Sequence, residues 1–344
     1  MWRWLIAAVL MFLVALTAVA GWLWQDMQRQ LHNPMPLVST QTLIVEPGTS
    51  LAALAGELVD RGWLDHPYYL RLHARQTGQG SRIQAGEYAI QPGTSPVQLL
   101  EQLVAGRVLQ HSLTIVEGWN YRELLQAVWN HDRLEQTLAP GLLDDPEGLA
   151  RTLELEAKHP EGQFYPDTYR FPSGTTDVEF LLRAHRTMQR ILAEEWKQRS
   201  SNLPYENAYE ALVMASIIEK ETAVPAERGD IAGVFVRRLQ QGMRLQTDPT
   251  VIYAMGRDYD GNIRRKDLRI DSPYNTYVYS GLPPTPIALP GRESIHAALH
   301  PAPGKTLYFV SRGDGSHYFS ETLQEHNRAV AKFQLGRDVK LESE

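Results

Sequence analysis

The stretch "ASIIEKETAV", residues 215–224, places two carboxylates, Glu219 and Glu221, on either side of Lys220 at the end of an apolar run. At about 100° per residue, Ala208, Ala211, Leu212, Ala215, Ile218 and Thr222 share one helical face, and Glu219 falls inside that sector. Withdrawing a carboxylate from water disfavours its charge and raises its pKa toward neutrality, which lets it donate a proton at physiological pH. Two outcomes are open for Glu219: a general acid, or an ion pair with a cation of a neighbouring helix such as Arg237 or Arg238. Glu221, Lys220 and Glu210 fall off the sector and are expected to form its solvated flank.

Further polar groups are spaced so that they could serve a ligand. "LQTDPT" sets Gln246 and Thr247 just ahead of a helix start, with Asp248 expected as the cap and Pro249 as the first helical residue. "SPYNTYVYSGLPPTP" combines Asn275 and Tyr277 with rigid prolines; a fixed amide beside an aromatic ring can hold a sugar hydroxyl and its apolar face, or pack the loop. His326 and Asn327 either support such a site or lie on a polar helix face. The histidines are dispersed, with no HExxH or His-rich spacing, so neither a metal nor a cofactor is expected. No Gly-x-Ser-x-Gly elbow and no Walker-type loop occurs, which leaves acyl transfer and nucleotide chemistry without support.

These residues need a scaffold. A chain of 344 residues with 43% hydrophobic content is long enough for two folded domains. Its net charge of -6 gives no basic excess to recruit nucleic acid. The absence of cysteine excludes disulfides and thiolate chemistry. "VEPGTSLAALAGELVDRG" from Val45 and "IQPGTSPVQLLEQLVAGR" from Ile90 repeat one pattern at a shift of 45 residues: strand, Pro-Gly turn, Ser cap, and a helix with leucines at i and i+4. A weaker third copy begins at Thr114. The repeats are either modules of a LysM-like kind, which hold cell-wall glycans, or simply tight turns. The second half reads as helices over "NAYEALVMASIIEKET" and "AERGDIAGVFVRRLQQG", a proline-rich irregular tract from 263 to 292, a hairpin around Gly313-Asp314-Gly315, and a last helix "ETLQEHNRAVAKF".

From Trp4 to Trp24 the chain has 21 residues without charge. As a helix this run spans roughly 31 Å, about one hydrocarbon core. Arg3 precedes it, and Trp2, Trp4, Trp22 and Trp24 bracket its ends, so a single-pass anchor with the N-terminus inside is expected. Ala18-Val19-Ala20 leaves a cleaved signal peptide as the alternative.

The anchor, "EGQFYPDTY" at 161, "ASIIEKETAV" at 215, "GMRLQTDPTVIYAMG" at 242, "YNTYVYSGLPPTPIALPG" at 274 and "HPAPGKTLYFVSRGDGSHYFSETLQEHN" at 300 together resemble the MltG or YceG-like family of membrane-anchored endolytic murein transglycosylases. The resemblance implies that Glu219 is the catalytic acid/base and that Gln246, Thr247, Asn275 and Tyr277 line a glycan groove. It implies an α+β fold: a transmembrane helix over 1–24, a linker over 25–41, a small LysM-like α+β domain over 42–130, a mostly helical YceG-like catalytic domain with a short hairpin over 131–335, and a polar tail over 336–344. The partners implied are peptidoglycan glycan strands, the inner membrane, and class A penicillin-binding proteins with the elongation machinery. The bulk of the chain is then periplasmic. A muramidase-type hydrolase, a non-catalytic wall-binding scaffold and a regulator of wall synthases are the rival expectations.

Overall fold

The computed structural model describes residues 2–337; Met1 and most of the expected polar tail, 338–344, lie outside the described residues. Helices and short strands are mixed along the chain. Two compact units form, residues 1–111 with 170–174, and residues 112–169 with 175–344.

In the first unit, α1 (Trp2–His32) is exposed along its apolar stretch and is long and apolar enough to cross a membrane. The helix does not stop at residue 24. It runs on through residues 25–32 of the segment expected to be linker, and Met27, Leu31 and the following Met35 are buried in the unit's core. Strand β1 (Gln41–Val45) pairs antiparallel with β2 (Gly86–Ile90), Leu43 opposite Tyr88. Each strand is followed by a Pro-Gly turn whose glycine, Gly48 at φ +83° or Gly93 at φ +90°, adopts a conformation that a side chain disfavours. Ser50 then caps α2 (Leu51–Asp60) and Ser95 caps α4 (Pro96–Val104), the latter with a reciprocal bond from Gln98. The paired leucines of the repeat, Leu54 with Leu58 and Leu99 with Leu103, are fully buried, so the repeated pattern builds one shared core. Between the copies, α3 (Pro67–Gln76) packs on α1 and α2, and Tyr69 donates to Asp26 at 2.9 Å.

The second unit begins within β3 (Gln110–Thr114) and continues through α5 (Tyr121–Trp129), β4 (Leu134–Glu135), α6 (Pro146–Thr152), the first two residues of β5 (Thr168–Pro172), and β6 (Thr175–Thr176). Its core is helical. There α7 (Asp177–Lys197), α8 (Ala208–Glu221), α9 (Arg228–Gln240), α10 (Asp248–Met255) and α11 (Arg292–Leu299) meet, with α8 contacting the other four. The sequence predicted one buried stripe on α8. Instead every residue from Ala211 to Ile218 is buried, because neighbours surround the helix. Helix α9 ends in a Schellman motif: Gly242, at φ +67°, donates its amide to the Leu239 carbonyl, and the Met243 amide reaches Arg238. The tract from 263 to 291 is irregular as expected, with a single short 3-10 turn at Asp267–Arg269. Strands β7 (Tyr308–Ser311) and β8 (His317–Ser320) form the expected hairpin, and α12 (Leu323–Phe333), capped by Thr322, packs on it.

Candidate active site

The last turn of α8 brings three charged side chains to the edge of the helical core, and each meets a different surrounding. Lys220 is exposed and donates to the Gly118 carbonyl at 3.1 Å. Glu219 is half-buried, and its Oε2 accepts the Gly291 amide at 3.0 Å. Glu117 lies against the same glycine, where a Cβ would come within 1.9 Å of its Oε1; burial, and then the neighbouring Glu219, push the Glu117 carboxyl up. The alternative partners for Glu219 are engaged elsewhere. Arg237 donates to the Ala302 and Thr306 carbonyls, and Arg238 to those of Arg244, Leu245 and Leu307.

Glu221, expected to face solvent, is half-buried like Glu219 and lies under the loop that leads into α10. Thr247 donates its hydroxyl to Glu221 Oε2 at 2.9 Å. Burial pushes the Glu221 carboxyl up to about 7, with Asp248 adding to the rise while Thr247 and Arg238 oppose it. The expected assignment of Glu221 to a solvated flank is thus corrected. Because α8 is surrounded, apolar periodicity gives no direction to its final turn, and the loop leading into α10 supplies the partner of Glu221.

That loop is specialised. Gln246 sits at φ +52°, a left-handed conformation uncommon for a residue with a side chain, and its amide bonds the Thr276 carbonyl at 3.2 Å. The Thr247 amide bonds Thr276 Oγ1 at 3.1 Å. Thr247, not Asp248, is the N-cap residue of α10, and its hydroxyl is used on Glu221 instead of the helix. Asp248 stands inside the first turn and accepts the Tyr277 hydroxyl at 2.7 Å.

Glu221, Gln246, Asp248, Tyr277, Tyr308 and His326 all line one open cavity of about 700 Å³. Two of the sequence candidates, Gln246 and Tyr277, therefore do face a groove, and Thr247 stands behind Glu221. Asn275 does not line it. Its side chain is fully buried, donates to the Leu268 and Ile270 carbonyls and accepts the Tyr277 amide, so it shapes the loop that carries Tyr277. Glu219 lines neither this cavity nor its neighbour.

The neighbouring cavity, about 910 Å³, shares Lys220, Pro249 and Ile252 with the first. It is lined by Tyr121, Arg122, His159, Tyr253 and Tyr274 around a fully buried acid, Glu161. Glu161 accepts the Tyr121 amide at 3.0 Å and the Tyr253 hydroxyl at 2.9 Å, yet burial pushes it up to about 8. Sequence reasoning noted the aromatic loop around Glu161 but not the acid. The only signal for it was its place in "EGQFYP", beside Gly162, whose φ of +76° lets it approach Pro286 closely.

The arrangement offers one groove with a carboxylic acid pushed up to about 7, and a contiguous aromatic groove with basic groups at its wall. The YceG-like family model matches residues 43–332. The chain is 32% identical over 317 residues to the endolytic murein transglycosylase of Bacillus subtilis, covering 88% of this chain and 87% of that one. It is 27% identical over 362 residues to the endolytic murein transglycosylase of Streptococcus pneumoniae, covering 95% of this chain and 65% of that longer one. A crystal structure of a YceG-like protein of Listeria monocytogenes superposes with a TM-score of 0.54 at 31% identity, covering 84% of this chain and 98% of that one. The chain belongs to the YceG-like family.

Proposed function

We propose that this chain is an endolytic murein transglycosylase that cuts the MurNAc-GlcNAc bond within glycan strands, with Glu221 as its acid and base. The activity is supported by the names of the relatives, one of them matched over 87% of its length. The choice of Glu221 over Glu219 is supported by one observation: of the two, only Glu221 lines either of the two cavities described, and it does so with a carboxyl pushed up to about 7. An acid poised there holds a proton to give and, once ionised, can take one back.

The chemistry needs one carboxyl. Protonated Glu221 donates to the oxygen linking MurNAc C1 to GlcNAc, and that bond breaks through an oxocarbenium-like state. The MurNAc 6-hydroxyl then attacks C1 and returns its proton to the Glu221 carboxylate, leaving a 1,6-anhydro end without consuming water. A hydrolase would require a second carboxylate to activate water or trap the sugar. Asp248 is the nearby candidate, and it is engaged by Tyr277. Thr247 would hold the Glu221 carboxylate in place, while Gln246 and Tyr277 would contact the glycan.

Membrane placement is supported by α1, with Arg3 and the Trp pairs supporting an N-terminus inside and the rest of the chain facing the wall. The capped strand-turn-helix repeats support a LysM-like, glycan-holding role for 42–130, ahead of a catalytic domain over 131–335. Contact with class A penicillin-binding proteins would place cleavage beside strand synthesis.

The test is digestion of purified peptidoglycan by the full chain in detergent, with new ends identified by mass. The parent and Glu219→Gln should give anhydro ends. Glu221→Gln should lower their yield by roughly 100-fold or more, as loss of a proton-transfer group does. Reducing MurNAc ends would mean hydrolysis; no ends with retained binding would mean a scaffold. Loss of activity in Glu219→Gln alone would return the acid to the position the sequence favoured.

A further inference from the structure

Away from both cavities, α7 and α11 bring together Glu195, His296 and His300. One donor atom from each lies within 4.8 Å of the others. His296 and His300 are four apart, which places them on one face, and their rings stack with centroids 4.3 Å apart. The Glu195 carboxylate is buried and its two oxygens are divided. Arg292 Nε donates to Oε1 at 2.7 Å, and His296 Nδ1 lies 2.9 Å from Oε2. His300 Nδ1 lies 3.4 Å from Ser200 Oγ, whereas its Nε2 is shut off from solvent and has no hydrogen-bond partner among the described residues. An imidazole nitrogen that is dry and unbonded carries a cost unless something occupies it.

We propose that Glu195, His296 and His300 form a site for one divalent transition cation, zinc by ligand type, that ties α7 to α11. Two imidazoles and one carboxylate are an established zinc ligand set, with a water in the fourth position. Ligands at 2.0 to 2.2 Å from a tetrahedral ion lie about 3.3 Å apart, so the cluster must contract slightly. His296 can supply that movement, since its side chain is 59% exposed and its far edge opens to solvent for the water. Arg292 does not compete for the same atom. It holds Oε1, the oxygen turned from His296, and so orients the carboxylate as an outer partner does; Glu194, 3.3 Å from Arg292, offsets its charge. Sequence spacing alone gave no metal expectation, because Glu195 lies 101 positions from His296.

The test uses the untagged full chain in detergent, stripped with a chelator and titrated with cobalt(II), whose visible bands report tetrahedral nitrogen and oxygen coordination. One equivalent of cobalt should develop those bands, one equivalent of zinc should abolish them, and zinc should raise the melting temperature. His296→Asn, chosen because that side chain is mostly exposed, should keep the metal-free melting temperature. It should weaken zinc by more than about 100-fold, the upper end of what loss of an outer partner costs. Absence of the bands at micromolar cobalt overturns the site. So do bands or a thermal shift that survive His296→Asn, since the cation then binds elsewhere.

Discussion

A carboxyl pushed up to about 7 makes a signed prediction for the pH profile. In the proposed mechanism Glu221 gives its proton when protonated, so kcat/KM should hold as pH falls below about 7, within the stable range of the fold, and decline about tenfold per unit above it. A profile flat from 6 to 9 would exclude Glu221 as the group that must be protonated. Glu161 makes a separate prediction about stability. Its carboxyl is raised from 4.5 to about 8, so the native state holds the proton more tightly than the unfolded chain. Its favourable share is complete below about 4.5 and is lost as pH rises through 8, a span on the order of 5 kcal/mol. Urea unfolding of Glu161→Gln from pH 4.5 to 9 should therefore fall less steeply than that of the parent. The sequence located the acidic motif and pointed to Glu219 within it, whereas the acid proposed above is Glu221. That choice requires knowing that Thr247, 26 residues away, reaches back to Glu221, and no periodicity encodes such a contact.

At the scale of elements, caps and turns were legible because they are local. Ser50 and Ser95 each bond an amide three residues on, and glycines stand where φ is positive after each strand of the repeat. The roles of Asp248 and Asn275 were not, because each is set by a loop that sequence shows only as proline-rich. One buried pin joins α8 to that tract: Ser216 Oγ accepts the Ile287 amide at 2.9 Å while donating to the Val213 carbonyl. Ser216→Ala leaves a buried amide unpaired and should cost about 1–3 kcal/mol in denaturant unfolding. Hydrogen exchange should show faster exchange at Ile287; an unchanged rate would mean that the pin does not hold the loop.

For the whole molecule, the mixed α+β class and the apolar N-terminal span were readable from composition and pattern, while the reach of α1 was not. Its polar continuation looks like a linker because only Met27, Leu31 and Met35 mark the buried face. A chain starting at residue 25 should keep the parent's protection from hydrogen exchange in α2 and β1. One starting at residue 37 loses three buried side chains, at about 1.5–3 kcal/mol each, and should lose that protection. Equal protection in both would show that the extension of α1 contributes nothing to the core.

The uninterrupted course of α1 from its apolar span to residue 32, with its far end packed into the first unit, has a mechanical outcome. It behaves as a mast, not a tether. A span retilts when hydrocarbon thickness changes, and a stiff continuation carries that angle upward. In the proposed membrane placement, acyl-chain length in the bilayer would then set the attitude of the first unit.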